Sequence, residues 1–290
     1  MSAILLKGGP LADRIFGSLT VDIAKLRRSC GKVPCLANIR IGENYSVSLY
    51  EKAQKKRAED IGVEYRGYHL GQNATQDQME RLIQRINRDR SVTGIIVQVP
   101  LPKQLDPKRT IYAIDPNKDV EGIHPENLGE AILGKEEYGS CTAIAIMELL
   151  KSYRVNLYGK EAVIVGSSDV VGKPTSLMLV DSFATTTICH VATTERGNLE
   201  HHVRRAEILV VAVGKPHLIK GNWIQKGAVV IDVGINQLHG HLVGDVEFER
   251  AKVKASYITP VPGGVGPLVP AILMRKLVVN FRRRLASHEL

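Results

Sequence analysis

Short apolar runs recur along this chain, and most are followed by a stretch with helical spacing. CLANIRIG (Cys35–Gly42), GIIVQVPLP (Gly94–Pro102), EAVIVG (Glu161–Gly166), TTTICH (Thr185–His190), and the runs near Ile208–Val213 and Val229–Val233 read as strands. VEYRGYHL adds another, and ASYITP a short one near the end. Between them, QDQMERLIQRIN sets Met79, Leu82, Ile83 and Ile86 on one helical face, and LADRIFGSLTVDIAKLRR is amphipathic in the same way. Apolar strands alternating with helices predict parallel sheets covered on both faces, an α/β fold. The run at Gly94–Pro102 carries two prolines, so its ladder should break there.

The alternation falls into two series. One ends in the loop after Pro102, and the other begins after a helix at Ala143–Tyr153. With 290 residues the chain has material for about two domains. The expected division is an N-terminal lobe of residues 1–145 and a second lobe of residues 146–269. The closing helix, from about Val269 to Arg283, crosses back, so residues 270–290 are assigned to the first lobe. There is no internal repeat and no low-complexity linker.

Composition removes several classes. Hydrophobic residues make up 44% and charged residues 24%, ordinary values for a soluble protein. No apolar run reaches the roughly 20 residues that span a bilayer, and the first residues do not read as a signal peptide. Cys30, Cys35, Cys141 and Cys189 form no close metal pair, so no metal is expected and they read as reduced thiols of a cytoplasmic protein. The net charge of +9 raises the question of nucleic acid, but the cations are dispersed and aromatics amount to only 5%. An anionic small substrate or cofactor accounts for the charge at least as well.

Three segments carry candidate chemistry. VIVGSSDVVGKP sets Gly166 directly after a strand and Gly172 where a helix begins. The spacing differs from G-x-G-x-x-G, yet small residues there let backbone N–H groups approach a phosphate; a tight structural turn is the other reading. After the next strand, CHVATTERGN offers Thr193, Thr194 and Arg196 to a ribose phosphate, which favours NADP and leaves NAD open. DPNKDVEGIHPEN carries Asp115, Asp119, Glu121 and His124, either an acid–base cluster or simply a solvated loop. In PVPGGVGP the glycines permit close backbone approach and the prolines fix the path. Finally, SVSLYEKAQKKRAEDIG is a helix on which Tyr50 and Gln54 share a face among many cations.

Taken together these segments resemble the bifunctional methylenetetrahydrofolate dehydrogenase/cyclohydrolases, over almost the whole chain from about Leu11 to Val279. The most specific pieces are GIIVQVPLP, NKDVEGIHPEN, VIVGSSDVVGKP, ILVVAVGKP, VVIDVGIN, VGDVEFE and YITPVPGGVGP. The resemblance implies a folate-binding catalytic lobe, a Rossmann-type NADP lobe with a cleft between them, and a homodimer. It also implies hydride transfer from methylenetetrahydrofolate, then hydrolysis of the methenyl product. Carried over residue by residue, Tyr50, Gln54, Gln98 and Glu121 are the catalytic candidates. Tyr50, Val99, Pro100, Leu101, Glu121, Pro262, Gly263 and Gly264 would line the substrate. Gly166, Ser167, Ser168, Val171, Gly172, Thr193, Arg196 and Ile235 would bind the cofactor.

The departures cluster at the folate positions. The family helix reads S-x-x-Y-x-x-x-K, with the lysine as the main group of the hydrolysis; here Gln54 takes its place. K-D-V-D-G becomes Lys118-Asp119-Val120-Glu121-Gly122, so Glu121 replaces the aspartate that grips the pterin donors. P-C-T-P reads Ser140-Cys141-Thr142-Ala143, and G-G-V-G-P-M-T ends in Leu268-Val269. Lys55 and Lys56 do not replace the missing lysine, because each helical step turns by about 100°. The expectation is an NADP-dependent dehydrogenase with weak or lost hydrolysis. The alternative is a non-catalytic or altered-substrate relative that binds nucleotide or pterin.

Overall fold

The computed structural model describes residues 2–43 and 45–287. Its strands, in chain order, are β1 (Ile4–Leu5), β2 (Cys35–Ile41), β3 (Glu64–Leu70), β4 (Gly94–Val97), β5 (Glu161–Val165), β6 (Thr185–Cys189), β7 (Ile208–Val211), β8 (Val229–Asp232), β9 (Asn236–Leu238), β10 (His241–Val243) and β11 (Tyr257–Ile258). The apolar runs of the sequence are strands here, and the run from Gly94 stops at Val97, ahead of its first proline.

The chain divides into two compact units. One comprises Asp13–Gly129 and the chain from Pro270 onward; the other comprises the chain up to Ala12 and Glu130–Val269. The expected limits therefore shift at both ends of the first lobe. Residues 1–12 leave it because β1 pairs with β11, Ile4 beside Tyr257 and Leu5 beside Ile258. Residues 130–145 leave it because they cluster with the Rossmann-type unit; within that stretch Ser140 donates to the Val170 carbonyl at 2.5 Å. Two-residue β1 is too short to carry a sequence signal of its own.

The Asp13–Gly129 unit holds a parallel sheet in the order β3-β2-β4. The Gln76–Arg88 helix covers it with Met79, Leu82, Ile83 and Ile86, all buried, and starts in a capping box made by Thr75 and Gln78. Its C-terminal carbonyls are closed by a buried lysine. Lys118 Nζ donates to the carbonyls of Ile86, Asn87 and Asp89 at 2.9, 2.7 and 2.7 Å. Arg284 acts similarly on Val92 and Arg90, at 2.6 and 2.8 Å. Part of the positive charge is thus spent on buried backbone carbonyls.

The other unit holds a six-stranded sheet in the order β1-β11-β8-β7-β5-β6, all parallel. From β5 the chain moves outward to β6, then returns past β5 to β7. That reversal leaves a crevice at the carboxyl end of β5, where parallel α/β sheets bind ligands. The antiparallel pair β9-β10 stands apart from this sheet.

Candidate active site

In the Asp13–Gly129 unit, the Tyr45–Asp60 helix follows central strand β2. It exposes Tyr50 and buries Gln54, while Lys52, Lys55 and Lys56 lie in solvent. Lys55 reaches Glu59 at 3.8 Å. Gln54 is tied to the sheet by its carbonyl oxygen, which accepts from Gln98 Nε2 at 3.3 Å and from the Tyr65 hydroxyl at 3.4 Å. Gln98 also donates to Asn38 Oδ1 at 2.6 Å. Beside this cluster, Glu51 receives Arg40 at 3.3 Å and His69 at 3.0 Å.

The acidic loop is not a solvated one. Asp119 is buried and accepts four backbone N–H groups, from Glu121, Gly122, Ile123 and His124, at 2.8–3.1 Å. It also accepts Asn127 Nδ2 at 2.9 Å. So many donors make Asp119 a pin for the loop. Burial pushes the Glu121 carboxyl up to about 8; the charge of Asp119 adds to this, while Lys276 and the Val97 N–H oppose it. Val99 and Pro100, which follow Gln98, are exposed.

In the second unit, the turn after β5 is compact. A Cβ added at Gly172 would lie 1.9 Å from the Gly166 carbonyl oxygen, and one added at Gly166 would lie 2.3 Å from the Ala212 oxygen. Only glycine lets these backbone segments touch. Ser168 Oγ accepts the Val171 N–H at 3.1 Å, just before the Gly172–Asp181 helix begins. The result is a small-residue turn that leads into a helix N-terminus, a fit for a phosphate-bearing cofactor. Thr193 and Arg196 lie in and just after the short Val191–Glu195 helix. Thr193 Oγ1 accepts the His190 N–H at 3.2 Å, which makes it a cap as well as a candidate contact.

Two buried carboxylates shape the neighbouring loops. Asp245 accepts the Val213 and Gly214 N–H groups at 2.7 and 2.9 Å, and Asn236 Nδ2 at 2.8 Å. Asp232 accepts Gly234, Asp245 and Val246 N–H groups at 2.8–3.0 Å. Burial pushes Asp232 up to about 7, with those hydrogen bonds opposing. Ile235, in the turn held this way, is 64% exposed. Gly264 sits in the same unit; the loop containing it is joined to the N-terminal segment by the Gly8 N–H bond to Gly263 O at 3.0 Å. Asn38, Tyr65, Asp232 and Asp245 are the polar groups that sequence reasoning missed. The one available signal was Asn38, a lone amide in the apolar run CLANIRI.

Comparison with known proteins decides the relationship. Residues 6–121 match the family model for the tetrahydrofolate dehydrogenase/cyclohydrolase catalytic domain, and residues 140–285 match that of the NAD(P)-binding domain. The chain belongs to the tetrahydrofolate dehydrogenase/cyclohydrolase family. The bifunctional protein FolD of Acetivibrio thermocellus is 45% identical over 279 residues, 96% of each chain. The bifunctional FolD enzyme of Campylobacter jejuni superposes with a TM-score of 0.93 at 40% identity, covering 98% of this chain and 100% of that one. The Trypanosoma brucei FolD, solved with NADP and an inhibitor, gives 0.92 at 35% identity over 98% and 99%. In tetrahydrofolate dehydrogenase/cyclohydrolase terms, the Gln54 cluster lies in the matched catalytic domain, and the Gly166–Gly172 turn in the matched NAD(P)-binding domain.

Proposed function

We propose that this chain is an NADP-dependent methylenetetrahydrofolate dehydrogenase of folate one-carbon metabolism whose methenyltetrahydrofolate cyclohydrolase activity is weak or lost. Gln54 carries the second half of that reading. It is a buried neutral amide, held by Gln98 and Tyr65, at the position where the resemblance places a lysine.

The glycine turn at Gly166–Gly172, with Ser167, Ser168 and the helix N-terminus, would hold the cofactor's phosphates; Thr193 and Arg196 would take the ribose phosphate that distinguishes NADP. Held by these residues, the cofactor would supply the hydride acceptor for oxidation of the folate. Oxidation needs little more from the protein than orientation, because the substrate nitrogen's own lone pair can expel the hydride. Tyr50 is exposed and would stack on the pterin, with Val99, Pro100 and Leu101 along it and Glu121 toward its donor groups. Pro262, Gly263 and Gly264 would supply close backbone approach.

Hydrolysis is different. A water must be activated and protons moved between oxygen and nitrogen, steps for which acid–base catalysis contributes roughly 10²–10⁴-fold. A carboxamide has no useful protonation equilibrium near neutral pH. Lys55 and Lys56 lie in solvent on other faces of the helix, so neither supplies the missing amine. The remaining elements of the proposal are a homodimer working in the cytoplasm; Cys30, Cys35, Cys141 and Cys189, none of them in a disulfide, suit a reducing compartment.

The deciding assay supplies methylenetetrahydrofolate with NADP or NAD and follows both the appearance and the decay of methenyltetrahydrofolate. Reduction of NADP with no enzyme-dependent decay is the expected result. Rapid enzyme-dependent decay would reject the lost hydrolysis. Tight NADP binding without any turnover would favour a non-catalytic relative. Sedimentation checks the dimer.

A further inference from the structure

The amide cluster contains more than the substitution itself. A carboxamide can be turned end for end with almost no change in shape, exchanging donor for acceptor. What Gln54 offers a ligand therefore depends on what fixes its orientation. Two neighbours do so, and both are donors. Asn38, fully buried on β2, presents Oδ1 to Gln98 at 2.6 Å, which turns the Gln98 N–H2 toward the cluster and toward Gln54 Oε1. Tyr65, on β3, donates its hydroxyl to the same oxygen. Burial and the neighbouring Glu51 carboxylate push that phenol upward, so its proton stays on and is available for this bond. Glu51 is itself held by Arg40 and His69. With its oxygen engaged twice, Gln54 has its Nε2 left over, and that group is buried with no hydrogen-bond partner among the described residues. Orphaned buried donors are rare and mark sites completed by something else.

We propose that Tyr65 and Asn38 are positioning residues for Gln54, Tyr65 directly and Asn38 through Gln98, locking its carboxamide oxygen-inward so that it meets the substrate only as a hydrogen-bond donor. The ligand class follows: the group that docks against Gln54 must carry an acceptor, such as a ring carbonyl or a nitrogen lone pair. This inference rests on the reading of Gln54 as part of the folate pocket. The structure adds the direction in which that residue works and the two side chains that set it.

The test uses the full chain in two independent measurements. In the first, KM and kcat for methylenetetrahydrofolate are measured at saturating NADP for the wild type, Tyr65→Phe, Gln54→Ala and the double variant. Tyr65→Phe keeps the ring and should raise KM about 3–10-fold, the scale of one lost hydrogen bond, leaving kcat and NADP affinity unchanged. In the Gln54→Ala background the same change should cost less than about twofold, since the group it orients is gone. Equal losses in both backgrounds would show a merely structural role for Tyr65 and overturn the proposal. The second measurement needs no turnover. With carbon-13 at the glutamine side-chain carbonyl, the Gln54 signal is identified by its loss in Gln54→Ala. Tyr65→Phe and Asn38→Leu should each move it upfield as an accepted hydrogen bond is lost or weakened. An unmoved signal in Tyr65→Phe overturns the lock whether or not the enzyme is active. A wild type that fails to oxidise methylenetetrahydrofolate while its Gln54 signal behaves as expected would instead reject the functional reading and leave the lock standing.

Discussion

At the scale of single residues, the proposed chemistry turns on one side chain that does not titrate and one that does. Gln54 cannot exchange a proton near pH 7, so Gln54→Lys should increase enzyme-dependent decay of methenyltetrahydrofolate, by up to roughly 10²–10⁴-fold if the remaining site is competent. Absorbance of the methenyl compound gives the readout. Glu121 titrates in the working range. Burial pushes its carboxyl up to about 8 from the ordinary glutamate value of 4.5, so between these values the folded chain holds a proton there that the unfolded chain has released. Stability attached to this group is therefore present below pH 4.5 and is lost as pH rises toward 8. Glu121→Gln should remove that loss, and the melting temperature of the variant should gain on the wild type between pH 5 and pH 8. The same group should make folate binding pH-dependent. If its carboxylate accepts from pterin donors, affinity rises through pH 8 in the wild type and stays level in Glu121→Gln, as titration calorimetry would show.

At the scale of elements, helix ends do most of the positioning. The Gly172–Asp181 helix can begin where it does because Gly172 touches the Gly166 carbonyl. A methyl group at 1.9 Å from that oxygen forces backbone movement, so Gly172→Ala should lower NADP affinity by at least about tenfold, near 1.4 kcal/mol. Fluorescence titration measures this, with far-ultraviolet circular dichroism showing that the sheet survives. The opposite end of another helix is closed by Lys118, whose ammonium meets three carbonyls. Burial, aided by the charge of Arg284, pushes it down to about 8. Lys118→Met removes the donor and leaves those carbonyls unsatisfied, for a loss of about 1–3 kcal/mol or more in denaturant unfolding. Because Lys118 precedes Asp119 and Glu121 directly, the loop's geometry should loosen with it.

At the scale of the whole molecule, the net charge of +9 is divided between structure and surface. Lys118 and Arg284 are committed to buried carbonyls, while Lys52 and Lys56 remain exposed on the helix that carries Tyr50. Folate and NADP are both anionic, so KM for each should rise several-fold between about 0.05 and 0.5 M potassium chloride, with kcat little changed, because screening acts on association. The α/β class, the longer strands with their order and intervening helices, and the glycine turn were legible in the sequence, since apolar runs, helical spacing and glycines act through local backbone physics; the short β1, β9 and β10 were not. Tyr50 and Gln54 could likewise be placed on one helix by counting. Asp119 could not be told from a solvated acid, because its five donors, four backbone N–H groups and the Asn127 side-chain amide, are brought together only by the folded loop. Tyr65 and Asn38 stand 27 residues apart and on different strands, and neither spacing nor residue type links them to Gln54. β1 joins the second unit by pairing with a strand some 250 residues away. The sequence by itself determined which local structures form and which residue types are present to do chemistry. Which polar atoms face one another, and therefore whether each amide donates or accepts and each acid holds its proton, was decided only by the tertiary structure. Hydrogen bonding and desolvation depend on distances of a few ångströms between segments remote along the chain.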